Sequence, residues 1–145
     1  MATTETLQHA GEFSLIGPNI IGSSGNQLDV GPLVLELNIY QSLDSPFMSG
    51  SILLNDAKGL YEFFPIIGQE RLIFKLITPT STYGVDFETY QAVIYNVEKR
   101  FNTNDRSQAY LLNFTTLDNY RNFRTKVSKS YRSDISTMVV QILTR

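Results

Sequence analysis

From position 33 the chain alternates. Leu33, Leu35, Leu37 and Ile39 fall on one side of an extended chain, and Val34, Glu36, Asn38 and Tyr40 on the other. A period of two is the mark of a half-buried strand. Residues 13–22 are apolar but interrupted by Gly17-Pro18, and read either as two short strands or as one extended edge. Further strands are expected over 49–55, 71–77, 87–101 and 107–116, with the loop 102–106 joining the last two as a hairpin. In the long segment 87–101, Tyr90, Ala92 and Ile94 stand opposite Gln91, Val93 and Tyr95.

Two places break this rhythm. Asp56 stands where it can cap a short helical turn through Tyr61, Glu62, Phe63 and Phe64, ended by Pro65. Near the other end, Ser133 or Asp134 opens a helix. Ile135, Met138, Val139, Ile142 and Leu143 follow the i, i+3, i+4, i+7, i+8 stripe of a one-sided helix. Many strands joined by short loops, with little helix, predict a mainly β fold, an antiparallel barrel or sandwich.

The length of 145 residues suits one domain. The domain divides into a flexible arm over 1–12, a β unit over 13–132 and an amphipathic helix over 133–145. Phe and Tyr with no Trp make up the 12% aromatic content, which favours strands. No apolar run reaches the roughly 18–20 residues of a membrane-spanning helix. Residues 1–11 lack the basic start and apolar centre of a signal peptide.

Candidate chemistry is sparse. The chain has no Cys, which excludes disulfides, thiolate nucleophiles and Cys-based metal sites. Its one histidine, His9, lies in the polar arm. A Ser-His-Asp triad built on it would lack a rigidly held base. Asp86 and Glu88 are spaced i, i+2, so a strand would place both on one face. They read as a solvated strand edge, with a weak cation site or an acid–base pair as the functional version. Neither HExxH, GxSxG nor a Walker-type loop is present. No cofactor is expected, and the chain is read as a non-enzyme. The run Phe63-Phe64-Pro65-Ile66-Ile67 reads as core at a barrel rim or as a partner site.

Charge changes the picture most. Net charge is −2, but residues 1–98 hold 11 acids and 3 bases, whereas 99–132 hold 8 bases and 2 acids. Arg121, Arg124, Lys126, Lys129 and Arg132 are interleaved with Tyr120, Phe123 and Tyr131. Three readings stand side by side. The segment is a solvated loop anchored by its aromatics, a basic face for an acidic patch on a neighbouring subunit, or a stacking site for single-stranded nucleic acid. A chain pI near 5.3 weighs against a dedicated nucleic-acid binder.

The stretch Ser42-Leu43-Asp44-Ser45-Pro46-Phe47-Met48-Ser49-Gly50-Ser51-Ile52 resembles the early strand-turn-strand of phage baseplate hub proteins. So do Leu54-Asn55-Asp56, Gly68-Gln69-Glu70-Arg71-Leu72, and the run from Asn119 to Tyr131 with the helix after it. The resemblance covers roughly 27–145. It implies a β-barrel of the tail-tube type, located in the virion at the tail baseplate. Such hubs are trimers carrying two barrels per subunit, which make a pseudo-six-fold ring between the tail tube protein and the central spike. Related hubs serve type VI secretion and other contractile injection machines. DNA passage through the ring channel would follow. In that family the first barrel runs on into an inserted domain and a second barrel, so residues 133–145 stand where a separate domain starts. With one barrel per subunit, a ring needs six copies or a second protein. An acidic body with a basic end suits ring contacts, which makes Arg121, Arg124, Lys126, Lys129 and Arg132 a candidate subunit contact.

Overall fold

The computed structural model describes residues 11–57, 59–79, 84–104, 107–126, 128 and 130–144. Eight strands lie among them: β1 (Ser14–Ile21), β2 (Gln27–Asp29), β3 (Val34–Tyr40), β4 (Ser49–Asp56), β5 (Arg71–Ile77), β6 (Val85–Asp86), β7 (Ala92–Asn104) and β8 (Ser107–Thr116). Three helices accompany them: α1 (Leu60–Phe63), α2 (Leu117–Arg124) and α3 (Ile135–Leu143). The fold is mainly β and antiparallel, as the alternation predicts. The sheet runs β2-β1-β5-β7-β8-β4-β3, with β6 on β5, and curls into a half-barrel.

The curl is strapped at one end. The outermost strands β2 and β3 follow one another in the chain, joined by a 3-10 turn at Gly31–Leu33. Val30 donates its N–H to the Pro18 carbonyl at 2.9 Å, and Gly31 donates to the Asp29 carboxylate at 2.9 Å. Among the described residues, the first residues of β1 have no strand beyond β2 on that side, and neither has the outer edge of β3. An open seam therefore lies between them.

Inside the curl three rings meet. Phe74 and Phe87 stand 4.8 Å apart, and each meets Phe114 edge-on, at 5.8 and 5.6 Å. Ile20, Ile52, Leu54, Leu72, Ile94 and Leu112 pack round them. Two buried carboxylates hold the loops at the rim. Asp56 accepts from the Leu60 N–H at 2.5 Å and the Tyr110 hydroxyl at 2.8 Å; it holds the start of α1, although the N-cap position itself is Gly59 and not Asp56 as expected. Glu70 accepts from the N–H groups of Ile67 and Gly68 at 2.8 and 2.9 Å. Charge-assisted bonds of this kind are what permit a carboxylate in an interior.

Residues 13–22 resolve to one of their two readings, and the local pattern departs from expectation in three other places. Within 13–22, β1 is a single strand, kinked where the β1–β5 register shifts between Ile16 and Asn19, at Gly17-Pro18. In β3 the register shifts between Val34 and Glu36. The bulge turns Leu35 outward, 58% exposed, and lets Val34 pack on the core with Leu37 and Ile39. The long strand starts at Ala92, because Gln91 takes φ 33 and ends the extended run. It continues to Asn104, paired with Ser107, so much of the expected loop is strand. Finally, α2 occupies residues read as a polar, basic segment.

The apolar run 63–67 splits. Phe64 and Ile66 are core, while Phe63 and Ile67 are exposed. Gly11 and Glu12 are the described part of the expected arm; His9 lies outside the described residues.

Candidate subunit interface

The basic segment is built on a short helix. Thr116 ends β8, Asp118 sits in the first turn of α2, and Arg121 and Arg124 sit in the last. Acid at the N-terminus and base at the C-terminus complement the helix dipole. Arg121 and Arg124, spaced i, i+3, share one face. Arg121 stands 3.8 Å from Asp118 in an exposed pair, and such pairs contribute little net stability. The Arg124 guanidinium lies over the Tyr120 ring at 5.9 Å. Lys126 and Arg132 are exposed beyond the helix. Lys129 lies outside the described residues. The structure thus gathers Arg121 and Arg124 on one face and leaves Lys126 and Arg132 on the chain that leads away from it.

Tyr120 and Phe123 line a recess of about 480 Å³ under α2, with Ser49, Thr115 and Asn119. Tyr95 forms the remaining wall. Strand alternation gave no sign of this role. The β7–β8 register shifts between Ile94 and Asn96, so Tyr95 sits on a bulge. Asn119 donates to the Thr115 hydroxyl at 2.7 Å, which ties the helix to the strand it leaves.

The seam is the second apolar surface. Phe13, Leu15 and Leu76 face Val34, Leu37 and Ile39 across a cleft of about 470 Å³. Glu36 stands on its wall. No sequence signal marked it, because it forms between the two free edges of the curled sheet.

The third is α3. Asp134 caps it, accepting from the Thr137 N–H at 3.2 Å, the Thr137 hydroxyl at 2.8 Å and the Ser136 hydroxyl. These bonds, the Ser136 hydroxyl first, hold the carboxyl down at about 2. The folded-state value lies below the ordinary 3.8, so the cap is complete above that value and is lost as pH falls toward 2. Far-UV circular dichroism is expected to show helix loss across that window. Asp134→Ala is expected to remove the step and lower helicity at neutral pH. An unchanged acid transition in that variant would exclude the cap as its source.

The carboxylate pair does not share a strand face, because Asp86 ends β6 and Glu88 lies in the turn after it. Lys75 reaches Glu88 at 2.5 Å and Asp86 at 3.6 Å. Asp86 also accepts from the N–H groups of Glu88 and Thr89 at 2.8 and 3.0 Å and from the Thr89 hydroxyl at 3.0 Å. The hydrogen bond from the Thr89 N–H leads the causes that hold Asp86 below its usual value, and the bond to Glu88 leads those that raise Lys75. A general acid needs the opposite shift. Among the described residues no group of three or more His, Cys, Asp or Glu is placed to hold a metal ion. No described helix is long and apolar enough to cross a membrane.

Compared with protein-family models and with curated proteins, the chain matches none of either.

Proposed function

We propose that this chain is a ring-building structural module of a phage-type baseplate hub, one barrel-like unit of the ring that joins a tail tube to a central spike. Its neighbours in that reading are copies of itself, the tail tube protein and the spike, and the ring encloses a channel for DNA. The observation that carries the proposal is the distribution of uncovered surface. Free sheet edges, an apolar cleft and an apolar helix all stand open on one small domain. Free edges and large apolar patches are liabilities for a protein that stays alone, and they are contact surfaces in a subunit that assembles. The acidic body and basic end add complementary faces.

Immunogold electron microscopy of native lysate, with antibody against this chain, tests the reading directly. Label is expected at the tail tip of phage-like particles; particles without label would overturn it. The charge reversals Arg121→Glu, Arg124→Glu and Lys126→Glu together are expected to lower the assembled fraction in sedimentation and to leave the fold intact by circular dichroism, since all three side chains are exposed. Assembly equal to the parent protein's would remove α2 from the contact.

A second reading has one observation of its own. The recess lined by Tyr95, Tyr120 and Phe123, with Arg124 over Tyr120, suits stacked bases beside a cation. Binding of single-stranded DNA that weakens steeply with salt would favour it. Binding absent at low salt would exclude it.

A further inference from the structure

The helix α3 stands on its own in a way that short helices do not tolerate. It has nine residues and buries none of them. Isolated helices shorter than about 12–15 residues are marginal in water, and tertiary packing supplies most of their stability. Ile135 is 76% exposed and Leu143 79%, with Val139, Val140 and Ile142 exposed between them. Ile135, Met138, Val139 and Ile142 follow i, i+3, i+4, i+7, the spacing by which an amphipathic helix seats its anchors in an apolar groove.

A groove of that kind exists on the same chain. The seam between β1 and β3 is a cleft of about 470 Å³ with apolar walls and a free strand edge on either side. Covering an edge with a helix is one of the ways natural sheets protect it. Leu35, turned out by its bulge, stands at the mouth.

Charge decides the occupant. Residues 1–55 contain Glu5, Glu12, Asp29, Glu36 and Asp44 and no Lys or Arg. The seam belongs to this half, with Glu36 on its wall and Glu12 beside Phe13. The segment leading to α3 carries Arg121, Arg124, Lys126, Lys129 and Arg132. Asp134, the acid at the start of α3, is engaged with its own helix end. A helix preceded by five bases and an apolar cleft with Glu36 on its wall are complementary in polarity and in charge, and both are present once on every copy.

We infer that α3 of one copy seats its apolar stripe in the β1–β3 seam of the next. The contact is heterologous, helix into cleft, so repetition closes a ring or propagates a filament according to the rotation between copies. The inference rests on the reading of the chain as a self-assembling subunit and names the surfaces by which it assembles.

The absence of cysteine makes the test clean. Leu35→Cys places a thiol at the mouth of the seam, and Val139→Cys places one in the helix stripe. The two purified variants, one carrying a size tag, are mixed under mild oxidation. The mixed disulfide is expected in about tenfold excess over either same-variant disulfide, the ratio that a preference of one decade in affinity produces. Three results would overturn the inference: a predominant Val139→Cys homodimer, which means helix on helix; a monomeric disulfide in the double variant with none in the mixture, which means that α3 folds onto its own seam; or no disulfide in any sample. Tail-tip label with no mixed disulfide keeps the hub reading and removes this contact. The mixed disulfide without tail-tip label does the reverse.

Discussion

Phe114→Ala will destabilise the protein by about 4 kcal/mol, near the middle of the range for truncating a buried phenylalanine. Phe114 is fully buried and is the one ring of the three that meets both others edge-on. Its removal takes away the transferred apolar surface and two edge-to-face contacts, and it leaves a void the size of a ring. The neighbours cannot close that void cheaply. Phe74 is held on β5, and Phe87 is tethered to it by its N–H bond to the Phe74 carbonyl at 2.9 Å. Small domains are stable by only about 5–15 kcal/mol in total, so the variant is expected to remain folded at room temperature with little reserve. Urea titration will show a lower midpoint with an unchanged slope. A midpoint equal to the parent protein's would mean that the core is centred elsewhere.

Gly50→Ala carries the second large effect, about 3 kcal/mol, at the upper end for inserting a methyl group into a filled interior. Gly50 lies in β4 between its partners Ile39 of β3 and Phe114 of β8. A Cβ there would run into the Asn38 carbonyl oxygen and the edge of the Phe114 ring. The ring sits directly over the glycine, and the strand spacing leaves no room for both. The reason is therefore steric; Gly50 is not among the glycines of positive φ. Because both changes act on the same contact, they will not add. The double variant Gly50→Ala/Phe114→Ala is expected to cost clearly less than the two single costs together. Strict additivity in a double-mutant cycle would show that the ring is not what excludes the methyl group.

These two positions also show how legibility is divided. Phe114 lies in a segment whose alternation marks it as strand, and its burial follows from that. Gly50 gives no such signal. Its constraint comes from the Asn38 carbonyl oxygen on the neighbouring strand and from a ring 64 positions away in the chain, brought over it by the β4–β8 pairing. The same division runs through the candidate interface. Arg121 and Arg124 stood out as charges, yet their common face exists because 117–124 is helical. The dipole-matched charges were a usable sign of that helix: Asp118 early, two arginines late. The polar composition obscured it. Tyr95 and Leu35 were placed by bulges, which insert a residue without altering the chemistry of the alternation around them. The seam has no local signature, since its two walls come from β1 and β5 on one side and β3 on the other.

The sequence by itself determined the class of fold, the strand at almost every alternating run, the short helical turn after Asp56, the Asp134-capped amphipathic helix and the charge asymmetry. Each depends on residues within a few positions of one another, where periodicity and capping chemistry act. The tertiary structure alone decided that the sheet curls without closing, that bulges set Leu35 and Tyr95 where they are exposed, that Lys75 bridges the carboxylate pair, and that α3 stands uncovered by the described residues. Those outcomes depend on strand order and register, which are set by how distant segments share one core.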